Sequence, residues 1–97
     1  MRASKTEMTA PHSIRLQIVN QLGLHARSAA RLAKLASDAR GRVWVTKATQ
    51  TADATSIIDI LALACPRGTE ITVSIEDEAD MNTLARIADL VRSGFGE

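Results

Sequence analysis

The chain has 97 residues, of which 45% are apolar and 24% charged, and its net charge is +1. That length holds one domain with one modest core, without room for a large cofactor cleft. The balanced charge excludes a whole-molecule trap for nucleic acid or anionic lipid. Only two aromatic residues, Trp44 and Phe95, are present, which argues against a platform for stacking bases or sugars.

Residues 1–12 carry charge but no apolar run, so they read as a flexible polar leader rather than a secretory signal. His12 falls in this leader and has no assigned role. The domain proper is expected over residues 13–97. Ser13 to Val19 alternates apolar and polar residues and reads as a strand with one buried face. From Ala26 to about Ala39, the apolar residues Ala29, Leu32, Ala33 and Ala36 follow helical spacing, and Gly41 lies just past the end. Arg42 to Lys47 is β-branched and aromatic, hence a second strand. A short strand is expected over Gln50 to Ala54. Ser56-Ile57-Ile58-Asp59 has the form of a capping box and opens a short helix to about Leu63.

Pro66-Arg67-Gly68 reads as a turn, and Glu70 to Glu76 alternates cleanly as a strand. Asp77 is placed to cap the last helix, with Leu84, Ala88 and Val91 on one stripe and Gly94 at its close. The order β-α-β-β-α-β-α predicts an α+β fold, with one helical layer on an antiparallel sheet. The alternation of Arg15, Gln17, Thr72 and Ser74 predicts that the other sheet face meets solvent.

Cys65 is the only cysteine, so no internal disulfide can form, and no cluster of Cys and His suggests a metal site. No apolar run approaches the roughly 18 residues of a membrane span. These features fit a cytoplasmic protein that needs no cofactor, inserts in no membrane and binds no nucleic acid.

The stretch GLHARSAARLAKLA, Gly23 to Ala36, places one histidine at the start of a helix. His25 could simply cap that helix or lie on its surface. Its neighbours suggest phosphate handling instead. The first-turn N–H groups of Ala26, Arg27 and Ser28 would be unpaired donors. Arg27 offers a planar fork of donors to phosphate oxygens, and Gly23 lets a partner's backbone come close. A neutral imidazole nitrogen is a nucleophile near neutral pH. Together these would make His25 a place to hold a phosphoryl group.

GLHAR before an Ala-rich helix resembles the active-site segment of the HPr family, the histidine phosphocarriers of the phosphoenolpyruvate-dependent phosphotransferase system. The resemblance runs from Ser13 to Glu97 and includes the element order, ATSIIDILALACPRGTEI and the SGFGE end. It implies an open-faced sandwich, with four antiparallel strands covered on one face by three helices. It also implies that His25 takes a phosphoryl group on Nδ1 from enzyme I and passes it to enzyme IIA domains. Arg27 matches the family arginine that contacts this group. Such a protein is a stoichiometric carrier, not a turnover enzyme, and is expected to be a monomer.

Ser28 stands where the family motif commonly has proline. Its hydroxyl either helps to bind the phosphoryl group or fills the turn. Ser56 matches a family serine that a dedicated kinase/phosphorylase modifies in many members. The alternative is that Ser56 is only the helix N-cap, worth about 1 kcal/mol. Ile57, Ile58 and Leu61 would share one side of the short helix. With Arg27, Arg31 and Lys34 nearby, they would form an apolar patch with a basic edge, suited to acidic partner surfaces on enzyme I and enzyme IIA. A rival reading is a purely regulatory binding module on the same fold, in a branch not coupled to sugar transport.

Overall fold

The computed structural model describes residues 12–97. The leader expected over residues 1–12 lies outside the described residues except for His12, which opens the first strand. The strands are β1 (His12–Gln17), β2 (Val43–Lys47), β3 (Gln50–Asp53) and β4 (Glu70–Ile75). The helices are α1 (Ala26–Ala36), α2 (Ile57–Ala62) and α3 (Met81–Arg92), with 3-10 turns at Glu78–Asp80 and Gly94–Gly96. The strands form one antiparallel sheet in the order β1-β4-β2-β3.

Register explains why one face is buried. Leu16 pairs with Ile71, and Ile14 with Val73. Across β4, Val73 meets Val45, and Val45 meets Ala52. Side chains alternate between faces, so these residues fall on one side, and a one-residue slip would expose them all. The three helices cover that side. Ala29, Leu32, Ala33 and Ala36 of α1, Ile60 of α2, and Leu84, Ile87, Ala88 and Val91 of α3 complete the core.

The opposite face carries Arg15, Gln17 and Thr72, as the alternation predicts, together with Thr46 opposite Thr72, but Ser74 departs from it. Ser74 is only 8% exposed. It lies on a central strand between Ser13 and Trp44. The Trp44 ring is held by its Nε1–H to Glu76 Oε2 at 2.8 Å and lies beneath the Arg42 guanidinium, 5.6 Å from the ring centroid. A small polar side chain beside that large ring loses its solvent.

Several boundaries shift for identifiable reasons. α1 ends at Ala36 rather than Ala39, because Asp38 and Ala39 donate to carbonyls three residues back and tighten the last turn. Gly41 does not have the positive φ of a helix-ending glycine. It is needed for space instead, since a Cβ there would lie 3.0 Å from Asp77 Cβ. Asp77 caps the 3-10 turn that leads into α3, not α3 itself. The capping box of α2 is half made: Ser56 Oγ accepts from Asp59 N–H at 3.2 Å, while Ser56 N–H goes to Asp53 O. β1 stops at Gln17, yet Ile18 still exchanges backbone bonds with Gly68 and Thr69.

Candidate functional site

The loop between β1 and α1 is pinned to the turn after α2. Gly23 has φ +70°, and a Cβ there would lie 2.4 Å from Cys65 O. Leu24 N–H donates to that same carbonyl at 2.9 Å. The backbone that comes close at Gly23 is therefore the chain's own, from Cys65 and Pro66, and not a partner's as expected. Burial among the core side chains pushes the Cys65 thiol pKa up, with the Lys47 charge a smaller opposing influence.

This loop delivers His25 to the N-cap of α1 in an extended conformation. Nδ1 accepts from Arg27 N–H at 3.3 Å, and Nε2 lies 2.6 Å from Glu97 Oε2. An amide proton needs a lone pair and a carboxylate needs a proton, so the two contacts together select the tautomer with the proton on Nε2. The Nδ1 lone pair then points along the first turn of α1, where the backbone amides and the helix dipole favour an anion.

Ser28 closes a reciprocal capping box. Its Oγ accepts from His25 N–H at 3.0 Å and lies 3.0 Å from Gly23 O and 3.2 Å from His25 O. The side chain is fully buried. Its hydroxyl is engaged within the turn. Ala26 and Arg27 are exposed on the first turn. Among the described residues, Arg27 has no carboxylate within ion-pair distance.

Glu97 and Asn20 are the residues that sequence reasoning missed. Asn20 is buried and donates through Nδ2 to Gly23 O at 2.7 Å and to Glu97 Oε1 at 3.1 Å. Its Oδ1 is buried without a hydrogen-bond partner. The hydrogen bond from Asn20 is the main cause holding the Glu97 carboxyl below the usual glutamate range. Burial opposes it, while the His25 hydrogen bond and the His25 and Arg27 charges assist.

Glu97 reaches the site because Gly94, Phe95 and Gly96 all take positive φ. A left-handed non-glycine residue costs about 1–2 kcal/mol. Burying a phenylalanine side chain returns about 1.5–3 kcal/mol, and Phe95 is completely buried. Arg31 fixes this turn from α1 by donating to Phe95 O. The SGFG sequence carries the only local signal, a lone phenylalanine between glycines at a helix end.

The residues expected to form one docking patch lie on two neighbouring helices, α1 and α2. Ile57, Ile58 and Leu61 project from α2 and are exposed, Ile58 to 79%. Arg31 and Lys34 line the groove between α1 and α3.

The fold that carries this site has known counterparts. Residues 12–93 match the family described as the PTS HPr component phosphorylation site. The chain belongs to the HPr family. It is similar to the phosphocarrier protein HPr of Neisseria meningitidis serogroup A, with 33% identity over 82 residues that cover 84% of this chain and 92% of that protein. The HPr of Chlamydia pneumoniae is 38% identical over 80 residues, covering 82% of this chain and 74% of that protein. Among solved structures, HPr-C-His from Thermoanaerobacter tengcongensis superposes with a TM-score of 0.84 at 32% identity, covering 89% of this chain and 97% of that one. HPr proteins are phosphocarriers of the phosphotransferase system, not enzymes in the ordinary sense. Among the described residues, no helix is long and apolar enough to cross a membrane.

Proposed function

We propose that His25 accepts a phosphoryl group on Nδ1 from phosphorylated enzyme I, charged by phosphoenolpyruvate, and passes it to enzyme IIA domains in sugar uptake or its regulation. The observation that carries this reading is the orientation of the ring. Glu97 holds the Nε2 proton, and the Nδ1 lone pair faces the start of α1. In transfer, a P–N bond forms at Nδ1 as the phosphorus bond to the donor breaks, and the Nε2 proton stays where it is. The Arg27 N–H then loses its ring acceptor and becomes a donor to the phosphoryl oxygens, beside the amide of Ala26. The Arg27 guanidinium supplies the mobile positive charge. Ser28 contributes by fixing the loop.

Ile57, Ile58 and Leu61 form the apolar part of the docking surface, and Ser56 at the start of α2 is the site on which a kinase/phosphorylase would act. The test is intact mass after incubation with phosphoenolpyruvate and an enzyme I, before and after mild acid. Phosphohistidine is acid-labile and phosphoserine is not. The wild-type chain should gain one acid-labile phosphoryl group, and His25→Ala should gain none while remaining folded. Labelling of His25→Ala at the wild-type level would remove His25 from the mechanism.

A further inference from the structure

The groove between α1 and α3 takes no lining residue from α2. Arg31, Lys34, Leu35, Asp38, Arg86 and Leu90 line it, and its volume is about 350 Å³. Small-ligand sites begin at roughly 300 Å³. Leu35 and Leu90 are half-buried, pack against the core and supply an apolar floor. Three cations and one carboxylate surround that floor. Asp38 is engaged by Arg86 at 3.5 Å. Neither Arg31 nor Lys34 has a carboxylate within ion-pair distance among the described residues. Arg31 donates one Nη1–H to a neutral carbonyl, that of Phe95, and its guanidinium carries further N–H donors.

We propose that this groove binds a small organic anion with an apolar body, of the medium-chain carboxylate class, and that its occupancy is transmitted to His25 through Arg31. The carboxylate head sits between Arg31 and Lys34, and the chain lies on Leu35 and Leu90. A hydrogen bond to an ionised acceptor is roughly twice as strong as one to a neutral acceptor. In the proposed complex the ionised head draws the whole guanidinium toward Lys34, which pulls Nη1 away from Phe95 O. The Gly94–Gly96 turn loses that anchor, and the turn carries Glu97, the partner of His25 Nε2. Coupling of this kind is reciprocal, so a change at His25 alters affinity in the groove. Any effect on phosphoryl transfer rests on the proposed role of His25, but binding in the groove does not.

Octanoate is the probe, with octanol and acetate as controls for body and head alone, titrated into the full chain labelled with 15N. Octanoate should saturably shift the amides of Lys34, Leu35 and Leu90, together with those of Gly94 to Glu97 and the His25 ring signals. Octanol and acetate should bind far more weakly. Lys34→Glu, at an exposed position, should keep the rest of the spectrum and lose affinity by about tenfold or more. His25→Ala should still bind octanoate, so loss of phosphoryl labelling in that variant leaves the groove separately testable. No saturable shift, equal binding of octanol, or unchanged affinity in Lys34→Glu would overturn the site. A groove that binds an acidic peptide but not octanoate would overturn the small-anion assignment. Saturation without movement at Glu97 and His25 would overturn the transmission.

Discussion

His25 Nε2 and Glu97 Oε2 stand 2.6 Å apart, although 72 positions separate the two residues in the chain. Glu97 does more than neutralise charge: its two oxygens accept separately, one from His25 and one from Asn20. Glutamine offers only one acceptor. Glu97→Gln is therefore expected to break one of these contacts and to convert a single His25 tautomer into a mixture, read from the ring 15N shifts. Phosphoryl transfer should slow as the fraction with a free Nδ1 lone pair falls. A variant that keeps the wild-type ring shifts would show that the Arg27 amide alone sets the tautomer.

The depressed Glu97 carboxyl gives this contact a pH window. A carboxyl held below its ordinary value of 4.5 contributes stability that is fully present above that value. The contribution is lost as pH falls through the depressed folded value. The Asn20 and His25 contacts should therefore survive mild acid and loosen only below the usual glutamate range, as seen in the Glu97 carboxyl 13C shift. Release already at pH 5 would contradict the assignment.

Arg27→Ala should leave the fold almost unchanged, because the side chain is exposed and makes no ion pair among the described residues. Its cost should appear in transfer. A charge-assisted hydrogen bond is worth about 1.5–3 kcal/mol, so a rate loss of about 10 to 150-fold is expected if the bond tightens in the transition state. Arg27→Lys should recover part of this, since a point charge lacks the planar fork. Rapid-quench transfer from enzyme I measures both, and an unchanged rate in Arg27→Ala would leave the first-turn amides as sufficient.

Much of this geometry was legible in the sequence. Alternation placed Leu16, Ile71 and Val73 inward, and helical spacing placed Leu32 and Val91. His25 was placed at a helix start, whereas the backbone that Gly23 admits is that of Cys65 and Pro66 and not a partner's. What was not legible depends on contacts remote in sequence. Glu97 and Asn20 look like ordinary polar residues until the Gly94–Gly96 turn brings them together over α1. Arg31 and Lys34 share a helix with Arg27, but which neighbour their face meets depends on the packing of α3. Ser74 reads as solvent-facing by alternation and is covered by its cross-strand neighbour Trp44.

Asp80 supplies a test of stability rather than transfer. Its buried carboxylate accepts from Arg40 N–H at 2.8 Å and from Gly41 N–H at 2.9 Å, tying the start of α3 to the chain entering β2. These two bonds, the Arg40 one first, hold its pKa below the ordinary value. Asparagine keeps one acceptor and turns a donor toward the other amide. Asp80→Asn should lower the melting temperature by several degrees at neutral pH. The difference should narrow as pH falls through the depressed Asp80 value, where the wild-type carboxylate is also protonated. A difference that stays constant to low pH would show that charge has no part in the clamp.

Ser56 separates capping from docking. Its Oγ accepts from Asp59 N–H at the start of α2, and aspartate caps a helix as well as serine does. A negative group also suits the helix N-terminus, by roughly 0.3–1 kcal/mol. Ser56→Asp should therefore be no less stable than the wild type in thermal unfolding. Ile57 and Ile58 follow directly and are exposed in the proposed contact surface. A charge beside them draws water into an apolar contact and faces the acidic partner expected opposite Arg27. A phosphate on Ser56 would add about −1.5 to −2 charges and act more strongly in the same direction. Affinity for enzyme I should fall in Ser56→Asp at low ionic strength, and added salt should narrow the gap from the wild type. Calorimetric titration of both forms at low and high salt decides it. Equal affinities at low salt would make Ser56 a cap alone and move the docking surface away from the start of α2.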